Sequence, residues 1–319
     1  MTATNLSFIY LDNITNGFSE DRKIGSGGYG EVYKGVDNTG QTIAVKKLYY
    51  MPGIDDTQFR NEFNNLMRVQ HPNIVRFIGY CYEVHNGHFE HNGEYIFGQN
   101  IYRVLCFEYL QNGSLDDCLS DESCGIDWYT RYKIIKGICE GLYYLHGQSM
   151  YHLDLKPANI LLDANMVPKI ADFGLSRLFG GSQTHTSRNC IGTECYMPPE
   201  YIKKRQISNK YDIFSLGVII IQIIAGPDGF SKYGDTSSQE KFIELVQNNW
   251  RHRLGLEATT SQVHASLEED CEQVNRCIEI ALRCVDENRD RRPAIRDIIE
   301  ELRLAVTETT SSIASWEQV

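Results

Sequence analysis

Four side chains between Met150 and Gly174 have the types that phosphate chemistry needs: Asp154, Lys156, Asn159 and Asp172. Three carry oxygen and one carries an ammonium group. They fall at the ends of short segments, with the apolar strand Ile160-Leu161-Leu162 after Asn159 and a second strand before Asp172-Phe173-Gly174. A chain built this way can place a proton acceptor, a phosphate-neutralising cation and two hard-metal ligands around one point. The plain alternative is a surface hairpin with scattered polar residues. The order and spacing leave few free positions, however, and match a phosphoryl-transfer signature. That reading requires a phosphate-binding loop upstream.

Such a loop is present in Ile24-Gly25-Ser26-Gly27-Gly28-Tyr29-Gly30-Glu31-Val32. Glycines at 25, 27 and 30 let backbone N–H groups approach phosphate oxygens without interference from a Cβ. A GxGxxG frame alone is a weak signal, and the residues after it decide its kind. A dinucleotide-binding fold needs a helix directly after the glycines, whereas β-formers occupy those positions here. A strand–turn–strand hairpin over phosphates fits better. A Walker-type loop is excluded because no Gly-Lys-Ser/Thr comes after the glycines. The next strand carries Ala44-Val45-Lys46, close to the Val-Ala-Ile-Lys pattern.

Other elements must hold these groups. Residues 55–69 have helical spacing, with Phe59, Phe63, Leu66 and Met67 on one face. Glu62 lies beside that face, placed to pair with Lys46 and orient it toward α- and β-phosphates. Residues 74–82 read as a strand. Residues 83–100 repeat His-Asn-Gly and space three histidines by three. Ligation at that spacing needs a helix, and the Asn-Gly pairs argue for turns, so an exposed hairpin is the better reading than a metal site. The strand 103–110 runs into a connector suited to an adenine ring, through the carbonyl of Glu108 and the N–H and C=O of Leu110, with Phe107 limiting depth. Ser114 reads as an N-cap with Asp117 in the first turn.

Downstream, 128–146 reads as a long helix and 175–200 as a loop containing Thr184, Thr186, Ser187 and Thr193 as phosphorylatable residues. Asp212 opens a buried helix to Gly226. Arg291-Arg292-Pro293 is expected to start the last helix, since proline suits a first turn. A Ser/Thr-rich tail from Thr307 is expected to be disordered. Before the glycine loop, residues 8–18 alternate apolar and polar and read as a flank packed on the first lobe.

The bulk figures narrow the partners. A net charge of −11 over 319 residues would repel nucleic acid or an anionic membrane. The 10 cysteines show no CxxC pair, which favours free thiols in a reducing compartment over a disulfide framework or zinc site. No signal segment is apparent, Thr2 excludes myristoylation of the chain as written, and the apolar run 213–225 is too short to span a bilayer. The expectation is a soluble, cytoplasmic protein, with no direct membrane insertion.

Gly25–Val32, Lys46, Glu62, His152–Asn159, Asp172–Gly174, Pro199-Glu200, Asp212 and Arg292 occur in the order of the eukaryotic protein kinase catalytic domain, which residues 18–306 resemble. Lys156, two after Asp154, marks serine/threonine rather than tyrosine kinases. Asn112-Gly113-Ser114-Leu115, Gly141-Leu142 with Tyr144-Leu145-His146, and Phe214-Ser215-Leu216-Gly217-Val218 resemble plant receptor-like kinases of the Pelle type. The resemblance implies an α+β, two-lobed fold: a small, mainly antiparallel β lobe with one key helix, a connector near 108–113, and a larger helical lobe. It implies ATP, with Mg²⁺ or alternatively Mn²⁺, and protein substrates bearing Ser or Thr.

Position by position, Lys46 paired with Glu62 would hold the α/β-phosphates, Asp154 would take or orient the substrate hydroxyl proton, and Lys156 would neutralise the transferred group. Asn159 and Asp172 would bind metal. Ile24, Gly25, Gly27, Gly28, Gly30, Val32, Ala44, Lys46, Phe107, Glu108, Leu110 and Leu161 would contact the nucleotide. Glu200 and Arg292 would form a buried ion pair, Asp212 would bind the catalytic-loop backbone, and Phe173, His152 and Leu66 would stack. Leu153 departs from the family by replacing the arginine that pairs with a phosphorylated loop. Its absence implies that loop phosphorylation is not the main on-switch, and is associated in plants with immune receptors. Cys195 and Pro198 also depart, in the substrate-side loop. A receptor or membrane complex is the implied partner. The competing reading is a kinase-like scaffold acting by binding, against which Lys46, Asp154 and Asp172 are all retained.

Overall fold

The computed structural model describes residues 3–27, 29–49, 56–91, 94–120, 125–178, 185–186, 192–236, 238–260 and 267–313. The chain divides into two compact units, Met1–His71 with Val75–Gln111, and Pro72–Ile74 with Asn112–Val319.

The first unit is a sheet with two helices. Its elements are β1 (Thr4–Asn5), α1 (Phe8–Ile14), β2 (Lys23–Gly27), β3 (Gly30–Val36), β4 (Thr42–Leu48), α2 (Thr57–Leu66), β5 (Phe77–His91) and β6 (Glu94–Glu108). The strand order is β1-β5-β6-β4-β3-β2, antiparallel except for the β1–β5 pair. Alternation sorts the two faces. Tyr33, Ile43 and Val45 turn into a core with Val104, Cys81 and Cys106, and Leu11, Ile14 and Phe18 complete that core. The flank therefore does pack on the sheet, and it does so as a helix. Ser7 caps it by accepting from the Tyr10 N–H. Burial pushes the Cys81 and Cys106 thiols up to about 12, which makes them packing groups rather than nucleophiles. The described cysteines are free thiols.

Three further local expectations change here. The strand expected from Ile74 begins at Phe77 and continues to His91. Asn86-Gly87 is consequently not a turn: Asn86 pairs with Gln99 and Gly87 with Gly98 inside a long ribbon. Cross-strand pairing overrides the local turn preference. Helix α2 ends at Leu66, and Met67, its C-cap, is exposed rather than on the buried face. Aromatic packing holds that helix against β5, with Phe63 edge-on to Tyr80 and Phe77.

The second unit is mainly helical. It comprises α3 (Leu115–Ser120), α4 (Trp128–Gly147), β7 (Met150–Tyr151), β8 (Ile160–Leu162), β9 (Pro168–Ile170), β10 (Arg177–Leu178), β11 (His185–Thr186), α5 (Pro199–Lys204), β12 (Gln206–Ile207), α6 (Tyr211–Ala225), α7 (Gly229–Asp235), α8 (Gln239–Thr260), α9 (Leu267–Cys284) and α10 (Ile295–Ile313). Helix α6 is apolar on nearly every side and packs against α4, α7 and α9. No single described helix is long and apolar enough to cross a membrane.

Ser114 and Asp117 form a reciprocal cap, with the Asp117 N–H donating to Ser114 Oγ and the Ser114 N–H to Asp117 Oδ2. Two boundaries differ from the sequence reading. Pro293 lies ahead of the last helix, which begins at Ile295, and that helix runs on to Ile313, into the stretch expected to be tail. The expected loop 175–200 contains short strands, and its end is already helical at Pro199.

Candidate active site

In the first unit, the glycine loop is a hairpin in which Gly27 pairs with Gly30. Gly28 lies outside the described residues. The three described glycines differ in why they are glycine. A Cβ on Gly30 would meet the Lys47 carbonyl oxygen at 2.4 Å, so the strand pairing itself forbids a side chain. A Cβ on Gly25 would come no nearer than 4.0 Å to Val32, and one on Gly27 would meet nothing within 4 Å. The fold does not demand those two glycines, and bare backbone there fits the close approach of phosphate oxygens.

Val32 stands across from Lys46, and Ala44 lies two residues earlier on β4, so all three share the face turned away from the core. Lys46 Nζ is 2.8 Å from Glu62 Oε1, and the Glu62 side chain is fully buried. A buried carboxylate needs such a partner, so the pair is held as a unit. Ala44 pairs with the buried Phe107, whose ring lies 5.7 Å from Phe77. Glu108 accepts the Arg76 N–H on its side chain, and Leu110 is buried, while Ile24 is exposed.

In the second unit the β8–β9 hairpin sets the two residues expected from the sequence to bind metal side by side. Ile160 pairs with Ile170, and one step further the Ala171 N–H donates to the Asn159 carbonyl at 2.9 Å. Asp172 comes immediately after. His152 Nε2 bonds the Ala171 carbonyl at 2.9 Å, and its ring packs edge-on to Phe173 at 5.3 Å. The third expected member of that stack, Leu66, belongs to the first unit and is buried there. Leu161 is half-buried on β8.

Asp154 is held from three sides. Asn159 Nδ2 donates to its carboxylate at 3.1 Å and to its carbonyl at 2.8 Å, Lys156 Nζ lies 3.1 Å from Oδ2, and the Thr193 hydroxyl donates to Oδ1 at 2.7 Å. Lys156 in turn donates to Thr193 Oγ1 at 2.8 Å. Thr193 is a member of this network that the sequence does not single out, since there it stands only as a phosphorylatable loop residue. A signal exists in Gly192-Thr193, close before Pro198-Pro199-Glu200.

Because the amide nitrogen of Asn159 faces Asp154, its oxygen is turned to the opposite side. An amide oxygen and the Asp172 carboxylate make a hard-oxygen pair, which suits a cation that takes its remaining ligands from phosphates and water. Among the described residues no group of three or more His, Cys, Asp or Glu is placed to hold a metal ion.

Asp212 secures the loop from beneath. Its carboxylate accepts the N–H groups of His152 and Leu153, each at 2.8 Å, and the His146 ring at 3.2 Å. Burial alone would raise this carboxyl. The His146 hydrogen bond, the histidine rings and the Leu153 N–H outweigh it and hold it below the usual carboxylate range. Leu153 has φ +66° and is fully buried with Tyr151, Met197, Tyr201, Ile207 and Tyr211. Glu200 and Arg292 form a two-pronged pair at 2.7 and 2.8 Å, with Arg292 buried.

Residues 18–302 match the protein kinase domain, and the chain belongs to that family. Membership implies ATP and a divalent metal. Similar proteins from Arabidopsis thaliana include cysteine-rich receptor-like protein kinase 11 (39% identity, 93% of this chain, 44% of the relative) and cysteine-rich receptor-like protein kinase 19 (39%, 99% and 46%). Cysteine-rich receptor-like protein kinase 5 is 37% identical over 98% of this chain and 45% of its own length. The chain thus spans less than half the length of these relatives.

Proposed function

We propose that this chain is the catalytic part of a receptor-like serine/threonine kinase, moving the γ-phosphate of ATP to protein Ser or Thr hydroxyls on the cytoplasmic side of a membrane complex. The observation that carries the reading is the closed network of Asp154, Lys156, Asn159 and Thr193. A carboxylate held this way can orient a substrate hydroxyl and accept its proton, while the ammonium beside it offsets charge on the group in transfer. Lys46, held by Glu62, serves the nucleotide phosphates. Asn159 and Asp172 are the residues that would hold Mg²⁺, whose chemistry is to neutralise the phosphate oxygens.

Loop phosphorylation is not the main on-switch in this proposal. Position 153 supplies a buried leucine packed among tyrosines and Met197, where the usual arginine would offer a guanidinium to a phosphorylated loop. Apolar packing holds the substrate-side loop instead.

The test is phosphoamino-acid analysis of an acceptor protein incubated with ATP, using wild type and a variant with Thr184, Thr186 and Ser187 all changed to Ala. Phosphoserine and phosphothreonine at comparable rates from both are expected. Phosphotyrosine as the main product would overturn the specificity. Collapse of the triple variant to background would overturn the switch assignment. Thr184 and Ser187 lie outside the described residues.

A further inference from the structure

Helix α2 carries Glu62, and its first turn is built in an unusual way. Asp56 sits at the N-cap position, where an aspartate ordinarily accepts an N–H of its own helix. Here its side chain makes no capping hydrogen bond. The carboxylate turns its short bonds to the sheet instead, with Arg60 of the same helix 3.7 Å from Oδ2. Tyr82 on β5 donates its hydroxyl to Oδ2 at 2.5 Å, and Arg103 on β6 donates Nε to Oδ1 at 2.6 Å, with its Nη2 at 2.5 Å from the same oxygen. Tyr82 and Arg103 are themselves cross-strand partners, so both donors stand on one rung of the β5–β6 ladder.

We propose that Asp56 is a positioning residue for phosphoryl transfer: through Tyr82 and Arg103 it fixes the start of α2 on the β5–β6 ladder, and so fixes where Glu62 presents its carboxylate to Lys46. The inference rests on the kinase reading. Three features support it. The side chains of Asp56 and Arg103 are only 15% and 11% exposed, so the ion pair is shielded from solvent screening. The Tyr82 hydrogen bond, and after it that of Arg103, holds the Asp56 carboxyl below the usual carboxylate range and keeps it ionised at neutral pH. Glu62 lies six residues on, about 9 Å along the axis at helical rise. A pivot at Asp56 therefore swings Glu62 directly.

The geometry also separates this role from plain helix stability. A capping aspartate would stabilise α2 wherever it lay, whereas a carboxylate spent on two strands specifies its location. Aromatic contacts of Phe59 with Tyr82 and of Phe63 with Tyr80 guide the same face of the helix, but ring packing alone tolerates sliding. The charged anchor does not, since both of its donors have fixed directions.

The full chain is compared with Asp56→Asn, Arg103→Leu and Arg103→Lys, each also in a Glu62→Gln background. Phosphoryl transfer at varied ATP and amide hydrogen exchange over residues 57–66 are both read. Asp56→Asn and Arg103→Leu should lower kcat/KM about ten- to a hundredfold, with KM for ATP rising, and should speed exchange in α2. Arg103→Lys should recover part of both. In the Glu62→Gln background the same changes should cost almost nothing further, because they act through Glu62. Additive losses in that background, or unchanged exchange in Asp56→Asn, would overturn the anchor. Absence of transfer from wild type would instead overturn the kinase reading, and the exchange measurement would then decide the anchor by itself.

Discussion

Two residues at the centre of the site hold left-handed backbone although neither is glycine: Leu153 at φ +66° and Asp172 at φ +63°. Such a conformation costs on the order of 1–3 kcal/mol per residue and persists only where surrounding contacts enforce it. For Leu153 those contacts are the Asp212 carboxylate on its N–H and the apolar cluster around its side chain. The strain turns the next residue, Asp154, into the network with Asn159, Lys156 and Thr193. Thr193 links the two charged members, since its hydroxyl both accepts from Lys156 and donates to Asp154. Thr193→Val removes both bonds while keeping the shape, and should lower kcat by about ten- to a hundredfold with little change in KM for ATP. Thr193→Ser should keep most of the rate. Steady-state kinetics on the two variants checks this, and equal rates for Val and Ser would contradict it.

At the scale of elements, α6 and the β8–β9 hairpin do the positioning. Asp212 in the first turn of α6 fastens the loop that precedes the hairpin, and its carboxyl is held below its ordinary range. A depressed carboxyl contributes stability that is fully present above its unfolded value, near pH 4, and is lost as pH falls through the folded value. The difference in Tm between wild type and Asp212→Asn should therefore be widest near pH 7 and should shrink below about pH 4. A gap independent of pH, read by thermal melts across that window, would contradict the assignment.

These elements also show what a sequence discloses. Helices α4 and α6, the glycine hairpin and the Lys46–Glu62 pair emerge from periodicity, glycine spacing and opposite charges in reach. The long β5–β6 ribbon does not, because Asn86-Gly87 carries a turn preference that only the partner strand overrules. Helix α1 is legible only as a packed flank, because its short apolar alternation fits either period until Leu11 and Ile14 find a core. Thr193 and Asp56 escape for a related reason. Threonine and aspartate are common in loops and caps, and only their distant partners, Asp154 and Arg103, give them a role.

For the whole molecule, the protein kinase match over residues 18–302 gives the family, and the proposed enzyme, as against a kinase-like scaffold, rests on the retained Lys46, Asp154 and Asp172. The net charge of −11 adds that positively charged segments of partner proteins are drawn to the surface more readily than acidic ones. The most direct measurement is incorporation of labelled phosphate from ATP and Mg²⁺ by the wild type against Asp154→Asn, at equal folded protein. Robust labelling by the wild type is expected, with a loss of about a hundred- to ten-thousandfold in the variant, the range for removing a general base. Equal labelling of the two proteins, or none by either, would contradict it.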